Sequence, residues 1–274
     1  MNTGWRAHLS LHYTRDADRT IALDRHEGPL RVLRRLYPEG PGICHHVIVH
    51  PPGGVVGGDR LEVDARLDTG THAVVTTPGA TRFYRSAGAM AVQQATLRLD
   101  DGARLEWLPL EALAHRDCNA ENHVRLSLAP GAEAMGWDVL GLGLPASGEA
   151  FDRGSFLQQL ELPGAWLERG LLRGDDTLLL DSPLGLGGHR VLATLWFAAG
   201  SSWSNARRDA LLDTARAEIG TAQAGVTTAH PRVIVLRALA ARVEPAMQLL
   251  QRVRAAWRRA AWDLAAEPPR VWRT

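Results

Sequence analysis

The sequence predicts a mainly β protein in which stacked strands form a β-solenoid-like body or a coiled double-layer sheet, followed by two C-terminal α-helices. Three observations lead to this fold class. Short apolar runs of strand length fill residues 1–200, and a glycine turn recurs among them at a nearly constant interval. The hydrophobic pattern of residues 201–274 then changes to a helical period.

The apolar runs have the alternation or the β-branched content that is typical of strands. In one of them, Leu61, Val63 and Ala65 alternate with polar residues, which indicates a half-buried strand. The predicted strands are Ile43–Val49, Leu61–Leu67, Ala73–Thr76, Ala91–Leu99, Leu105–Leu108, Val124–Leu128, Phe156–Leu162, Thr177–Leu180 and Val191–Phe197.

Glycines at the start of several runs form a weak repeat. Gly70, Gly102, Gly131 and Gly164 each follow a polar residue or proline and precede an apolar run, at intervals of 32, 29 and 33 residues. A period near 30 is typical of stacked two-strand units. Glycine is also common at the hairpin turns of any all-β protein, so the pattern alone leaves both arrangements open.

The C-terminal part has its own signals. Ser204 or Asn205 can cap a helix that Gly220 ends, and Arg232–Leu239 has the composition of a strand. Pro245 suits the first turn of a second helix. We therefore expect one domain over residues 1–274, with a β body (1–200) and a helix-strand-helix part (201–274).

The second helix has an amphipathic pattern. One face carries apolar side chains and the other carries arginines. The apolar face holds Met247, Leu250, Val253, Trp257 and Ala261, and the opposite face holds Arg252, Arg254, Arg258 and Arg259.

Composition narrows the functional class. The chain has 274 residues, and 45% of them are hydrophobic. Its net charge of +1 argues against a charged surface that binds nucleic acids or membranes. All 31 basic residues are arginine, so a lysine base or Schiff base is excluded. Two cysteines make no disulfide framework, and no secretory signal or membrane-spanning run is present. We expect a soluble, cytoplasmic protein.

The stretch from His50 to Ser86 is rich in glycine and proline, at Pro51, Pro52, Gly53, Gly54, Gly57, Gly58, Pro78 and Gly79. It is not a phosphate-binding loop, because it lacks the Gly-Lys-Ser/Thr and G-x-G-x-x-G patterns and leads into a strand rather than a helix. The glycines therefore serve backbone shape. We expect Gly57 and Gly79 to have positive φ, so that valine there is strongly disfavoured.

Three segments resemble the signature of the urease accessory protein family UreD, also called UreH. They are His50–Asp59 (HPPGGVVGGD), Thr77–Ser86 (TPGATRFYRS, with Tyr84, Arg85 and Ser86 at its end) and Leu105–Pro109 (LEWLP). Shorter likenesses extend from Gly4-Trp5 to an Arg-x-Trp-x-Thr ending at Thr274. The segment from Ala114 to Ala120, which contains His115 and Cys118, departs from the family pattern.

The resemblance implies a non-catalytic maturation factor built from stacked strands with two C-terminal helices. Such proteins bind apo-urease and the accessory proteins UreF and UreG, the latter a GTPase that carries nickel. We therefore expect no tightly bound cofactor, with nickel only in transit. The isolated chain should neither bind nor hydrolyse nucleotides.

Metal ligands are present in two places. Cys44, His45, His46 and His50 are close in sequence, and His115 with Cys118 has an H-x-x-C spacing. Imidazole and thiolate are ligands that suit nickel or zinc. Cys44 and His46 point to one side of a strand and His45 to the other. Structural or buried histidines explain the first cluster more simply.

Single carboxylates in apolar or glycine-rich surroundings are more informative. Asp59, Asp138 and Glu168 are of this kind, and an ionised carboxylate away from water needs a partner. Salt bridges to Arg60 or Arg169 would satisfy two of them. Alternatively, the three carboxylates line a water-filled nickel path through the strands, with a hydroxyl from Thr81.

Two other function classes are consistent with parts of the sequence. A metal-dependent hydrolase could use Asp59 with His46 or His50, and would show tight metal binding and turnover. A β-solenoid carbohydrate-binding module would need a row of exposed aromatic side chains, against which the aromatic content of 6% argues.

Overall fold

Two β-sheets and a layer of helices make up the protein in a computed structural model, which describes residues 4–273. The strands are β1 (Arg6–Asp16), β2 (Arg19–Glu27), β3 (Arg31–Val32), β4 (Ile43–Val49), β5 (Arg60–Leu67), β6 (His72–Thr76), β7 (Thr81–Phe83), β8 (Ala91–Leu99), β9 (Arg104–Leu108), β10 (Ala112–Ala114), β11 (Asn119–Leu128), β12 (Glu133–Leu142), β13 (Ser155–Leu162), β14 (Trp166–Arg173), β15 (Val191–Ala199), β16 (Ala224–His230) and β17 (Val233–Ala240). The helices are α1 (Thr177–Asp181), α2 (Asn205–Ile219) and α3 (Val243–Trp262).

The chain winds between the two sheets, and this confirms the predicted stacked-strand fold. The first sheet has seven strands in the order β14-β13-β11-β8-β5-β1-β2, and the second has ten, with β16-β17-β15-β12-β9-β6-β4-β3 as its main path. Neighbours from β1 to β13 in the first sheet and from β4 to β12 in the second pair in parallel. Antiparallel strands close both sheets.

The repeated glycines lie in turns that stack on one another. Gly70, Gly102, Gly131 and Gly164 all have positive φ, between 65° and 79°. Gly70 N donates to the carbonyl of Asp101 in the next turn, at 3.1 Å. The repeat therefore marks successive windings of the chain, and left-handed backbone explains the choice of glycine.

The second sheet is covered on both faces, by the first sheet on one side and by α2 and α3 on the other. Every residue of β12 is buried for this reason, which is the usual consequence of covering a sheet twice. Alternate residues of β12 then belong to different cores. Leu140 faces the core between the sheets, and Trp137 and Val139 face the helices.

The helices begin and end close to their predicted positions. The Ser204 side chain caps α2 by accepting from Arg207 N, and Gly220 follows its last residue. The strand expected at Arg232–Leu239 is β17, and the unpredicted β16 precedes it. None of the helices within residues 4–273 is long and apolar enough to cross a bilayer.

The arginines of α3 do not form the single polar face that the sequence indicated. Arg252 and Arg259 are exposed. Arg254 and Arg258 are 1% and 0% exposed and point into the sheet. Their partner is Glu106 of β9, which is fully buried.

Glu106 is the centre of a buried ionic cluster. Arg254 Nε donates to its Oε2 at 2.7 Å, Arg258 Nε lies 3.0 Å from its Oε1, and His72 Nε2 lies 3.2 Å from the same oxygen. Arg258 also donates to Glu39 Oε2 at 2.8 Å. Burial raises the pKa of Glu106, but Arg254, the hydrogen bond with His72 and Arg258 together outweigh burial and bring it to about 2, so the carboxyl is ionised and attaches α3 to the sheet.

One predicted strand is wrong. Thr177–Leu180 forms helix α1, because the Asp176 side chain accepts from Leu179 N and so caps a helical turn. The remaining predicted runs coincide with strands. Thr274, the last residue of the family-like C-terminal motif, lies outside the described residues.

Candidate functional site

A cavity of about 230 Å³ lies between the two sheets. Most of its wall is apolar, from side chains such as Val63, Val75 and Trp107. Its polar lining consists of His50, Thr76, Thr77, Thr81, Gln93, Gln94, Asn122 and Asp138. A mostly apolar concave space with a few polar groups is the usual form of a small-ligand site.

Two of the family-like segments form the opening of the cavity. Gly53 and Gly54 line it from one loop, and residues 77–81 line it from another. Gly53, Pro78 and Gly79 are exposed to solvent, whereas the lining residues from β8 and β12 are buried or half-buried. The glycine-rich loops therefore surround a passage from solvent to the space between the sheets.

A break in the second sheet lies beside Asp138. On one side, β12 pairs with β9 over residues 133–136 and with β10 over residues 140–142. Between these pairings the neighbouring chain, around Pro109, leaves the ladder. Asp138 lies at the centre of the unpaired interval, so its carboxyl is next to irregular backbone rather than a continuous strand.

Asp138 is 6% exposed and has one strong hydrogen bond, from Asn122 Nδ2 to its Oδ2 at 2.6 Å. Burial, together with the nearby carboxylate of Glu168, raises the pKa of Asp138 to about 7. The donor amide of Asn122 opposes this rise. Near neutral pH this carboxyl therefore binds a proton more readily than an exposed aspartate does, and it is a site where a cation could replace that proton.

Glu168 continues a polar line from Asp138 toward the outside. Thr194 is the cross-strand neighbour of Asp138 on β15, and its hydroxyl lies 3.5 Å from Glu168 Oε1. Arg237 Nε donates to both carboxylate oxygens of Glu168, at 3.0 and 3.1 Å. Glu168 thus has an arginine partner, as the simpler alternative expected, but the partner is Arg237 and not Arg169.

Asp59 belongs to a different environment. Its Oδ1 accepts from Trp5 N at 2.8 Å and its Oδ2 accepts from Val56 N at 2.9 Å. Arg60, the suggested partner, pairs with Glu62 instead. The side chain of Asp59 is not part of the cavity lining; it holds the glycine-rich turn together.

Comparison with known proteins shows the family of this chain. A family model described as "UreD urease accessory protein" matches residues 6–273. The chain belongs to the UreD family. It is 60% identical to a protein named urease accessory protein UreD from Leptothrix cholodnii, over 98% of this chain and 99% of the relative. Proteins with the same name from Methylibium petroleiphilum and Verminephrobacter eiseniae are each 58% identical, with the same coverage.

The cysteine and histidine clusters of this UreD-family chain do not converge. Tyr13 Oη lies 2.7 Å from His46 Nδ1, and burial lowers the pKa of His46 to about 4. His45 contacts Glu39 at 2.8 Å, and His115 contacts Glu149 at 3.2 Å. Within residues 4–273, no group of three or more His, Cys, Asp or Glu side chains is arranged to hold a metal ion.

Burial also explains why the thiols are poor ligands. It raises the pKa of Cys44 to about 11 and, with help from Asp117, that of Cys118 to about 12. Both cysteines are free and buried. Because the thiolate is the form that binds metals, burial disfavours both side chains as soft ligands at neutral pH.

His50 has a larger part in the site than its place in the sequence motif indicated. It lines the cavity, and its Nε2 has no hydrogen-bond partner among the described residues. Burial lowers its pKa, which keeps the imidazole neutral. Gln93, Gln94 and Asn122 were also missed, although polar residues within apolar strand runs were a usable signal.

The expected backbone geometry of Gly57 and Gly79 is wrong. The glycines of these loops with positive φ are Gly53 and Gly58. A Cβ at Gly57 would lie 2.1 Å from Ser86 Oγ and 2.7 Å from the carbonyl oxygen of Ala89. At Gly79 it would meet nothing within 4 Å. Close packing thus requires glycine at position 57. At position 79, neither positive φ nor close packing requires it.

We therefore expect Gly57→Val to destabilise the protein and Gly79→Val to leave it nearly unchanged. A backbone carbonyl cannot yield to the new side chain as a flexible side chain can, so overpacking should cost about 1–3 kcal/mol at Gly57. Thermal unfolding of both variants beside the wild type measures the difference. Equal melting temperatures for the two variants would contradict the packing argument.

Proposed function

We propose that this chain serves urease maturation as a non-catalytic scaffold and conduit through which nickel reaches the urease active site. The observation that supports the proposal most directly is the cavity between the sheets, which opens at the family-like loops and contains Asp138. Its partners would be apo-urease and accessory proteins of the UreF and UreG type, in the cytoplasm. Membership of a urease accessory family supports the maturation role.

The chemistry of the lining suits transit better than storage. Carboxylate, hydroxyl and amide oxygens hold divalent nickel less tightly than imidazole or thiolate clusters do. Asp138, Thr81 and Asn122 supply such oxygens one at a time. Conduction requires binding that is favourable enough for entry and weak enough for exit. Nickel is therefore a passing cargo here and not a tightly bound cofactor.

Thr194 and Glu168 extend the polar groups beyond the cavity. Asp138 and Thr194 are adjacent across two strands, and Glu168 reaches the half-buried edge with Arg237 beside it. The order Thr81, Asp138, Thr194, Glu168 gives a route from the loops through the protein. Asp59 stabilises the entrance turn instead of lining that route.

Blocking the cavity tests this proposal. Ala95 lines it and is 4% exposed, and a dry cavity of roughly 150 Å³ accommodates a benzene ring. Ala95→Phe should therefore fit, retain complex formation and lower urease activation at limiting nickel at least tenfold. The assay combines purified apo-urease, the accessory partners, GTP and substoichiometric nickel. Ala260→Phe on the exposed side of α3 is the matched control.

Full activation by a folded, cavity-filled variant would contradict the conduit. Turnover of any substrate by the isolated chain would contradict its non-catalytic character. The two measurements are independent, because the first concerns the cavity and the second the whole molecule.

A further inference from the structure

Three large apolar side chains are exposed around the glycine-rich turn. Trp5 is 55% exposed, Val56 45% and Met90 41%. Scattered exposed residues need no explanation, but several around one rigid turn form the kind of patch that marks an interaction surface. We call the surface formed by Trp5, Val56 and Met90, together with Arg6, Arg82 and Arg85, the rim.

A single buried carboxylate fixes the apolar part of the rim. Asp59 accepts from the backbone N–H groups of Trp5 and Val56 through separate oxygens, at 2.8 and 2.9 Å. Gly58 N donates to the carbonyl of Met90 at 3.0 Å. Gly4 is in backbone contact with Gly58, where a Cβ would lie 2.0 Å from the carbonyl carbon. The rim is therefore pre-organised, which lowers the entropy lost on binding.

Arginines without carboxylate partners among the described residues lie on the segments beside this turn. Arg6 follows Trp5. Val55 N donates to Arg82 O at 2.8 Å and Val55 O accepts from Tyr84 N at 2.9 Å, so the segment that carries Arg82 and Arg85 lies next to the turn. All three arginines are exposed. Within residues 4–273 none of their guanidinium groups has a carboxylate within salt-bridge distance, in contrast to Arg60, whose Nε lies 2.6 Å from Glu62.

Arginine side chains without a carboxylate partner at this position would repel a divalent cation that approaches the cavity. Arg82 directly follows Thr81, which lines the cavity, and charges interact over a Debye length of about 8 Å at physiological salt. Carboxylates placed over these arginines would remove the repulsion. Apolar side chains beside those carboxylates would cover Trp5, Val56 and Met90.

We infer that the rim binds a partner protein through an acidic surface that also presents apolar side chains, and that docking there opens the cavity to cations. This inference rests on the proposed function and names the chemistry of the partner that covers the entrance. A phosphate polyanion is a poorer match, because three arginines are interspersed with apolar groups and the net charge of the chain is only +1.

Charge reversal of the rim tests the inference. The double variant Arg82→Glu/Arg85→Glu should bind at least one of two purified probes, apo-urease or the UreF-type partner, tenfold or more weakly at 0.1 M salt. Its binding should also lose most of the salt dependence seen with the wild type. Arg25→Glu/Arg259→Glu changes the same charge at arginines elsewhere that are exposed and that have no carboxylate within salt-bridge distance in the described part of the chain. This variant should bind within twofold of the wild type.

Two further measurements separate charge from packing and from misfolding. Trp5→Ala/Met90→Ala should weaken the same complex while its salt dependence stays. In the wild-type complex, peroxide oxidation of Met90 should slow at least fivefold, because the exposed thioether becomes covered. Unfolding curves establish that each variant is folded.

Unchanged affinity of the charge-reversed variant for both probes would overturn the inference, and so would undiminished oxidation of Met90 in the complex. Selective loss of binding to anionic phospholipid vesicles or RNA, with protein binding intact, would also overturn it. The cavity-filled Ala95→Phe variant identifies failure of the proposed function separately, since it leaves the rim intact and tests only passage.

Discussion

Glu106→Gln should be among the most destabilising single substitutions in this protein. It removes the carboxylate that compensates Arg254 and is shared with Arg258, which keeps only Glu39, within a cluster where Glu106 and both arginines are almost fully buried. Breaking a buried ion pair by neutralising one member costs about 3–5 kcal/mol, because the other charge is left without a partner. His72 would also lose its carboxylate contact.

Urea unfolding followed by tryptophan fluorescence measures this effect. Asp213→Asn is the control, since the Asp213–Arg216 pair is exposed on α2 and such pairs contribute about 0–1 kcal/mol. A loss below 1 kcal/mol for Glu106→Gln would show that the cluster does not hold α3 on the sheet.

Asp138→Asn should stabilise the protein at alkaline pH and impair nickel delivery. The folded pKa of Asp138 is about 7, above the ordinary value of 3.8. The folded state therefore binds more protons than the unfolded state between these pH values, and stability falls as the pH rises through this window. Above pH 7 the ionised, buried Asp138 lowers the free energy of unfolding by its full amount, on the order of 4 kcal/mol for a rise of about three pKa units.

The asparagine variant lacks this titration, so its unfolding free energy should change less from pH 5 to pH 8 than that of the wild type. Its delivery of nickel should decline because an amide holds a cation less well than a carboxylate does. Asp64→Asn on the outer face, where the side chain is 42% exposed, provides the matched control. Parallel pH profiles for wild type and Asp138→Asn would refute the assignment.

Much of the fold could be predicted from the sequence, because the spacing of the apolar residues and the positions of the glycines indicate it. The turns at Gly70, Gly102 and Gly131 were consistent with stacking, which the family resemblance favoured, and Ser204 or Asn205 was the expected cap at the start of α2. β1 and β2 were missed, although the buried Leu9, Leu11 and Tyr13 of β1 alternate with polar residues as half-buried strands do. For Thr177–Leu180, three consecutive leucines obscured the cap at Asp176.

The candidate site was only partly accessible, for a physical reason. Asp138 stood out because a carboxylate within MGWDVLG has no local partner. The role of Asp59 was hidden, since its partners are backbone N–H groups that no side-chain pattern marks. The burial of Arg254 and Arg258 was hidden as well, because their compensating Glu106 is 148 residues from Arg254 in sequence.

That separation has a consequence for synthesis on the ribosome. Glu106 emerges 148 residues before Arg254, so at about 5–20 residues per second roughly 7–30 s pass before its counter-ion exists. During that interval the parallel strands can stack, but the outer face of the second sheet must keep Glu106 in water. The nascent chain therefore remains open on the side where its last helix will close, and completion of the protein waits for the end of translation.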